Sequence, residues 1–221
     1  MKILGNLPRQ DETKIGLALS GGIDSMCVAH FLLNGRKDFT AFYFNHGTVH
    51  GEKAEKFVRE WCSTHGVPLE VGHINDSEGE YYHREWKGPQ EYYRWRRYLF
   101  LGQYDDHSII LAHHLDDVLE TWLFSTFHGD GKVIPYKVAN YIRPFLLSTK
   151  ESIRAYAERH SVQWIEDESN STVDYARNRI RHNIVPEVDV INPGIRKRIA
   201  RMVIDMHTRF EKSEKDYWKG Y

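Results

Sequence analysis

Between Lys14 and Leu33 an apolar run, Ile15, Leu17, Ala18 and Leu19, passes straight into Ser20-Gly21-Gly22-Ile23-Asp24-Ser25 and then into a helix-forming segment. That order predicts a strand, a tight turn and a helix. Two adjacent glycines allow positive φ and let the backbone approach a ligand with no Cβ in the way, so that successive N–H groups converge on an anion. Ser25, read as the N-cap, opens the helix and adds its positive end to the site. Neither a Gly-Lys-Ser/Thr ending nor Gly-x-Gly-x-x-Gly is present, so the spacing is wrong for the two best-known nucleotide loops. A plain Gly-Gly turn is the bland alternative. The strand before it, the helix after it and the flanking Ser, Asp and Ser favour a loop that grips phosphate.

At 221 residues the chain can bury one sizeable core with room for a small appendage. Its formal charge of -1 excludes a globally basic nucleic-acid binder. The distribution is uneven, however: Arg177, Arg179, Arg181, Arg196, Lys197, Arg198 and Arg201 crowd the last third and form a local basic footprint. A solvated helical face accounts for about half of such a run. Cys27 and Cys62 are the only cysteines, which implies neither a disulfide framework nor a metal cluster. Cys27, among Met26, Val28 and Ala29, reads as a small buried hydrophobe. With no signal-peptide core and no membrane-length apolar stretch, the expectation is a soluble, cytoplasmic protein.

Beyond the first strand and helix, ordered segments alternate in type. Phe39 to Asn45 reads as a strand, Glu52 to His65 as a helix and Leu69 to Ile74 as a third strand. Asn75 to Gln90 is polar and reads as a loop, followed by a helix from Glu91 to about Tyr104 and a short buried strand from Ser108 to Ala112. A helix from Leu115 to Phe127 ends in the turn chemistry of Gly129-Asp130-Gly131, and Tyr141 to Arg143 offers one more strand. Helices are then expected from Thr149 to His160, from Asp174 to Val185 and from Pro193 towards Trp218. Strands separated by helices imply parallel pairing, so the fold class is α/β with a doubly wound, mostly parallel sheet and a helical C-terminal extension.

Such sheets bind ligands just past the carboxyl ends of their strands. Three positions there carry chemistry: Ser20 to Ser25; Asn45-His46-Gly47, where glycine lets the backbone lie against an adenine or ribose; and His113-His114-Leu115-Asp116-Asp117-Val118-Leu119-Glu120-Thr121. If the last segment is helical, His113 and Asp117 share a face with Glu120. Acids at a helix start also serve as caps. Hard oxygen ligands beside phosphates suit Mg²⁺, which one or two carboxylates and the nucleotide hold. Zinc is disfavoured, because no cysteine or further histidine stands at ligand spacing.

Ser20-Gly-Gly-Ile-Asp-Ser25 resembles the pyrophosphate loop of the ATP pyrophosphatase (PP-loop) superfamily. Together with Asn45-His-Gly47, Arg94-x-x-Arg97-Tyr98, His113-His-x-Asp-Asp-x-x-Glu-Thr121, Arg143-Pro144, Trp164-Ile-Glu-Asp-x-Ser-Asn170 and Tyr175-x-Arg-Asn178, it resembles the tRNA(Ile)-lysidine synthetase family over Lys14 to about Pro193. The resemblance implies that ATP adenylates the wobble cytidine of a minor isoleucine tRNA and that the ε-amine of L-lysine then displaces AMP. It divides the chain into a catalytic core at 1–147 and a helical part at 148–221 that completes the active site and contacts tRNA. No membrane partner is expected; a homodimer is an option.

The roles that follow from it are these. Ser20, Gly21, Gly22, Asp24, Ser25, Asn45, His46 and Arg94 bind the nucleotide. Asp24 and Asp117 hold Mg²⁺, and Glu120 is either a further ligand or the group that orients lysine. Glu120 and Asp167 are receivers for the lysine cation, His113 stabilises the adenylated intermediate or shuttles a proton, and Asn170 and Arg181 close over the reacting centre. Two departures stand out. His128-Gly129-Asp130-Gly131 replaces the family's Arg-Gly-Ser/Thr-Gly, and the chain ends at Tyr221, where longer members continue into domains that grip tRNA. Other readings are a different RNA-acting PP-loop enzyme, a thiolase or an amidating enzyme, or a catalytically silent RNA-binding relative. Thiolases typically need a Cys-x-x-Cys or a persulfide cysteine, and silence would be expected to cost the acids that are present here.

Overall fold

The computed structural model describes residues 1–74, 88–166 and 176–219. The chain folds into two compact units: Pro8–Ile110 with Val162–Glu166, and Met1–Leu7 with Leu111–Ser161 and Asp167–Tyr221. Most of the loop expected from Asn75 to Gln90, and with it Asp167, Asn170 and Tyr175, lies outside the described residues.

The first unit contains β1 (Lys14–Ala18), α1 (Ile23–Asn34), β2 (Thr40–Asn45), α2 (Val49–His65), β3 (Leu69–His73), α3 (Pro89–Leu101) and β4 (His107–Ile110). The strands lie in the order β3-β2-β1-β4 and every pair is parallel, with Leu17 opposite both Ala41 and Ile110. The chain steps outward from β1 to β3 and returns to the other side of β1 as β4. The strand order therefore reverses at β1, which is where an α/β sheet binds its ligand. Ala41, Phe42, Tyr43, Phe44 and Asn45 are all buried, as expected of a parallel strand covered on both faces. Met26, Val28 and Leu32 of α1 are no more than 1% exposed, and side chains of this kind contribute roughly 1.5–3 kcal/mol each when fully buried. Helix α2 begins earlier than Glu52, because the Thr48 side chain accepts from the Gly51 N–H and caps it.

The second unit is built on α4 (Leu115–Phe127), whose Leu115, Val118, Leu119 and Leu123 share a core with Leu4, Leu146, Ile180, Ile195, Ile199 and Val203. It also holds α5 (Lys150–Arg159), α6 (Ala176–Arg179), a π-helical turn at Ile180–Ile184, α7 (Val185–Ile191) and α8 (Ile195–Lys219). Two findings differ from the sequence expectation. The strand at Tyr141 belongs to a short antiparallel hairpin, β5 (Lys137–Val138) with β6 (Tyr141–Ile142), whose turn places Ala139 at φ +51°. Asn140 is the turn residue the sequence offers there, but the positive φ falls on Ala139 beside it, where glycine would be expected. The helix expected to stop before Pro186 instead widens into the π-helical turn at Ile180–Ile184 and runs on as α7 to Ile191, with Pro186 at the start of α7 just past that turn. Among the described residues no helix is long and apolar enough to cross a membrane.

Candidate functional site

In the first unit the Ser20–Ser25 turn joins β1 to α1. Gly21 sits at φ +81°, a conformation that favours glycine, and its carbonyl accepts the Ile165 N–H at 2.9 Å. Gly22 is extended (φ -76°, ψ 158°) and is itself the N-cap of α1. Ser25 is therefore not the cap. The helix starts one turn earlier, and Ser25, buried in its third position, donates its hydroxyl to the Gly22 carbonyl at 3.0 Å and accepts the Ser20 N–H at 3.1 Å. The Ser20 and Ser25 hydroxyl oxygens lie 3.0 Å apart. The two serines thus lock the turn internally, and the first N–H groups of α1 lack intrahelical partners. Asp24 stands in that first turn.

At the end of β2, Asn45 is 5% exposed; its Oδ1 accepts the Gly47 N–H at 2.8 Å and its Nδ2 donates to Glu55 Oε2 at 2.8 Å. The His46 ring lies 4.9 Å from that of Tyr93 and 5.2 Å from that of Phe44. Burial, with a smaller push from the Arg97 charge, lowers the His46 pKa to about 4, so the imidazole is neutral at neutral pH. Arg97 is held below its ordinary value by burial, with Arg94 adding like-charge repulsion. Arg94 is exposed on α3, with its guanidinium 4.9 Å from the Tyr98 ring centre.

The acids of the second unit divide into separate tasks. His114 caps α4, and Asp117 closes a reciprocal capping box by accepting the His114 N–H at 2.9 Å. His113 precedes the helix, so it does not share a helical face with Asp117 as expected; the helix begins only at Leu115. Asp116 accepts the Lys150 N–H at 2.7 Å and Arg196 Nε at 2.8 Å, and Arg196 also pairs with Asp189. Burial alone would raise the Asp116 pKa, but the bonds from Lys150 and Arg196 outweigh it and hold the carboxyl low. Glu120, 5% exposed, takes Arg181 in a two-pronged pair, Nε to Oε1 at 2.6 Å and Nη2 to Oε2 at 2.9 Å, while Arg181 Nη2 lies 3.8 Å from Asp117 Oδ1. Burial still leaves the Glu120 pKa raised, since it exceeds the lowering by Arg181.

Glu120, Asp117 and Arg181 are therefore brought together, with Arg181 carried on the π-helical turn. Arg196 is tied down inside the unit, which the basic footprint alone did not reveal. Glu55 carried no signal beyond an i,i+4 partner in Arg59. Asp167 and Asn170 lie outside the described residues. Among the described residues no group of three His, Cys, Asp or Glu side chains is arranged to hold a metal ion. Mg²⁺ is compatible with less, because one or two carboxylates and phosphate oxygens suffice. Both cysteines are buried, and burial pushes the Cys62 thiol up to about 11.

Residues 1–188 match the PP-loop domain family, and the chain belongs to it. Its curated relatives include the tRNA(Ile)-lysidine synthases of Pseudothermotoga lettingae (31% identical over 89% of this chain and 47% of that protein), Photobacterium profundum (29%, 90% and 48%) and Staphylococcus aureus strain COL (32%, 80% and 44%). The chain spans about half the length of these relatives. In fold it is similar to an NH3-dependent NAD synthetase from Campylobacter jejuni, at a TM-score of 0.54 and 13% identity, covering 90% of this chain and 87% of that one.

Proposed function

We propose that this protein is a cytoplasmic tRNA(Ile)-lysidine synthetase: it adenylates the wobble cytidine of a minor isoleucine tRNA with ATP and then joins lysine to it. The 2-carbonyl oxygen of the cytidine attacks the α-phosphorus, the bond to the bridging oxygen breaks, and pyrophosphate leaves. The Ser20–Ser25 turn receives that pyrophosphate, its N–H donors set in place before the charge develops. Asp24 and Asp117 are the carboxylates for Mg²⁺, which when bound neutralises phosphate charge. Asn45, His46 and Arg94 complete the nucleotide contacts.

In the second step the lysine ε-amine attacks C2, the carbon–nitrogen bond forms, the carbon–oxygen bond to AMP breaks, and the amine gives up its protons. A free ε-ammonium has a pKa near ~10.4, so a carboxylate must receive it and a base must take its proton. Glu120, with its proton affinity raised by burial and Asp117 close by, suits both tasks, and Arg181 is held against it as a charge that lysine must share. His113, Asp167 and Asn170 keep the roles that the family resemblance implies. Sulfur transfer is disfavoured, because neither Cys27 nor Cys62 is accessible.

The observation that carries this reading is the serine-locked Gly21-Gly22 turn at the point where the strand order reverses; the choice of tRNA and lysine as substrates is supported by the names of the relatives alone. The test is a pyrophosphate-release assay with ATP, lysine and unmodified minor isoleucine tRNA, omitting each in turn. Pyrophosphate release should need ATP and tRNA, and release of free AMP should need lysine as well. Pyrophosphate release independent of RNA, or AMP release independent of lysine, would overturn it.

A further inference from the structure

Glu55 of α2 has no part in the chemistry above, yet it gathers three elements of the first unit around one carboxylate. Asn45 Nδ2, from the end of β2, donates to Oε2 at 2.8 Å; His73 Nε2, from the end of β3, lies 2.9 Å from the same oxygen; Arg59, one helical turn on, meets Oε1 through Nε at 2.8 Å and Nη2 at 2.7 Å. The Glu55 side chain is only 15% exposed. Burial works to raise its pKa, but the bonds from Asn45, Arg59 and His73 outweigh it and keep the carboxyl below the usual range, so it remains ionised.

An ionised carboxylate only accepts hydrogen bonds, whereas a carboxamide presents a donor on one side and an acceptor on the other. Glu55 therefore dictates which way round Asn45 stands: Nδ2 must face the carboxylate, which leaves Oδ1 for the Gly47 N–H. Gly51 makes room for this arrangement, because a Cβ there would stand 2.6 Å from Asn45 Oδ1. The turn is also held at its far end, where Thr48 caps α2.

We propose that Glu55 is a positioning residue for the adenine nucleotide: by orienting the Asn45 carboxamide it sets the Asn45-His46-Gly47 turn against which the base or ribose is held. This rests on the nucleotide reading of the previous subsection. The experiment measures the ATP dissociation constant, and kcat at saturating ATP, for the full chain and for Glu55→Ala, Glu55→Gln, Asn45→Ala and the Glu55→Ala/Asn45→Ala pair. Losing a hydrogen bond to a charged group corresponds to about a tenfold weaker ATP affinity, so Glu55→Ala and Asn45→Ala should each show about that loss, and in Glu55→Ala kcat at saturating ATP should stay nearly unchanged. The pair should be no worse than either alone, because one contact acts through the other.

Glu55→Gln keeps an acceptor for Asn45 but no longer forbids the flipped amide, and should lose about threefold. If Glu55→Ala does not fold, Glu55→Gln decides, and an unchanged affinity overturns the proposal. So do additive losses in the pair, or unchanged ATP affinity in either single alanine variant. Failure of the unaltered protein to bind ATP overturns the nucleotide reading itself, and the role of Glu55 with it.

Discussion

His46 shows at the scale of one side chain how the fold sets a charge. Its pKa falls from the ordinary 6.5 to about 4, first through burial and then through Arg97. Between those values the unfolded chain binds a proton that the folded chain refuses, so stability rises with pH across this window and is lost as pH falls through it. With the ring partly exposed, the loss should be on the order of 2 kcal/mol between pH 7.5 and pH 4.5. Urea unfolding of the unaltered protein and of His46→Gln at both pH values checks this: the variant should lose about 2 kcal/mol less, and parallel losses would refute the assignment. Asp24 belongs to the same scale. On the proposed reading, in which Asp24 holds Mg²⁺ against the phosphates, Asp24→Asn should cut pyrophosphate release by at least about a hundredfold while the protein still folds. A folded Asp24→Asn protein with full activity would remove the metal assignment.

Elements with strong local chemistry were legible in the sequence. Helix α4 runs from Leu115 to Phe127 as its apolar spacing indicates, and α1 follows the glycine turn. Ser25 reads as an N-cap because serine is a common one, but an extended Gly22 has already started the helix. The hairpin is only half legible, since Ala139 takes a positive φ without a turn residue's signature. Long-range pairings left no local trace at all. Glu120 and Arg181 are 61 residues apart, and Asp116 and Arg196 are 80 apart. The second pair joins the starts of α4 and α8, while the Lys150 N–H at the start of α5 uses the other Asp116 oxygen. Asp116→Ala should accordingly destabilise the protein by about 2 kcal/mol, because it leaves a partly buried N–H and part of a guanidinium without this acceptor. Urea unfolding reads this directly, and a change below about 0.5 kcal/mol would place Asp116 among ordinary surface residues.

For the whole molecule, the proposed function raises the question of how a chain of net charge -1 would hold a polyanion. The structure sorts the C-terminal basic residues into two sets. Arg181 and Arg196 are neutralised within the second unit, by Glu120 and by Asp116 with Asp189. Lys197, Arg198 and Arg201 are exposed on α8, opposite the buried Ile195, Ile199 and Val203. Substituting Arg196 would therefore confuse lost packing with lost RNA contact, whereas the exposed three report on RNA alone. If they meet phosphates, each contact releases condensed counterions, so the affinity depends on salt with a slope of about 0.7–0.9 per contact. The Lys197→Ala/Arg198→Ala/Arg201→Ala protein should bind tRNA more weakly at low salt and with a slope flatter by about 2, while ATP affinity stays the same. Stability should hardly move, because exposed charges contribute only ~0–1 kcal/mol. Filter binding across several salt concentrations decides the matter: an unchanged affinity and slope would mean that RNA is held elsewhere, with Arg94 on the exposed face of α3 the next residue to substitute.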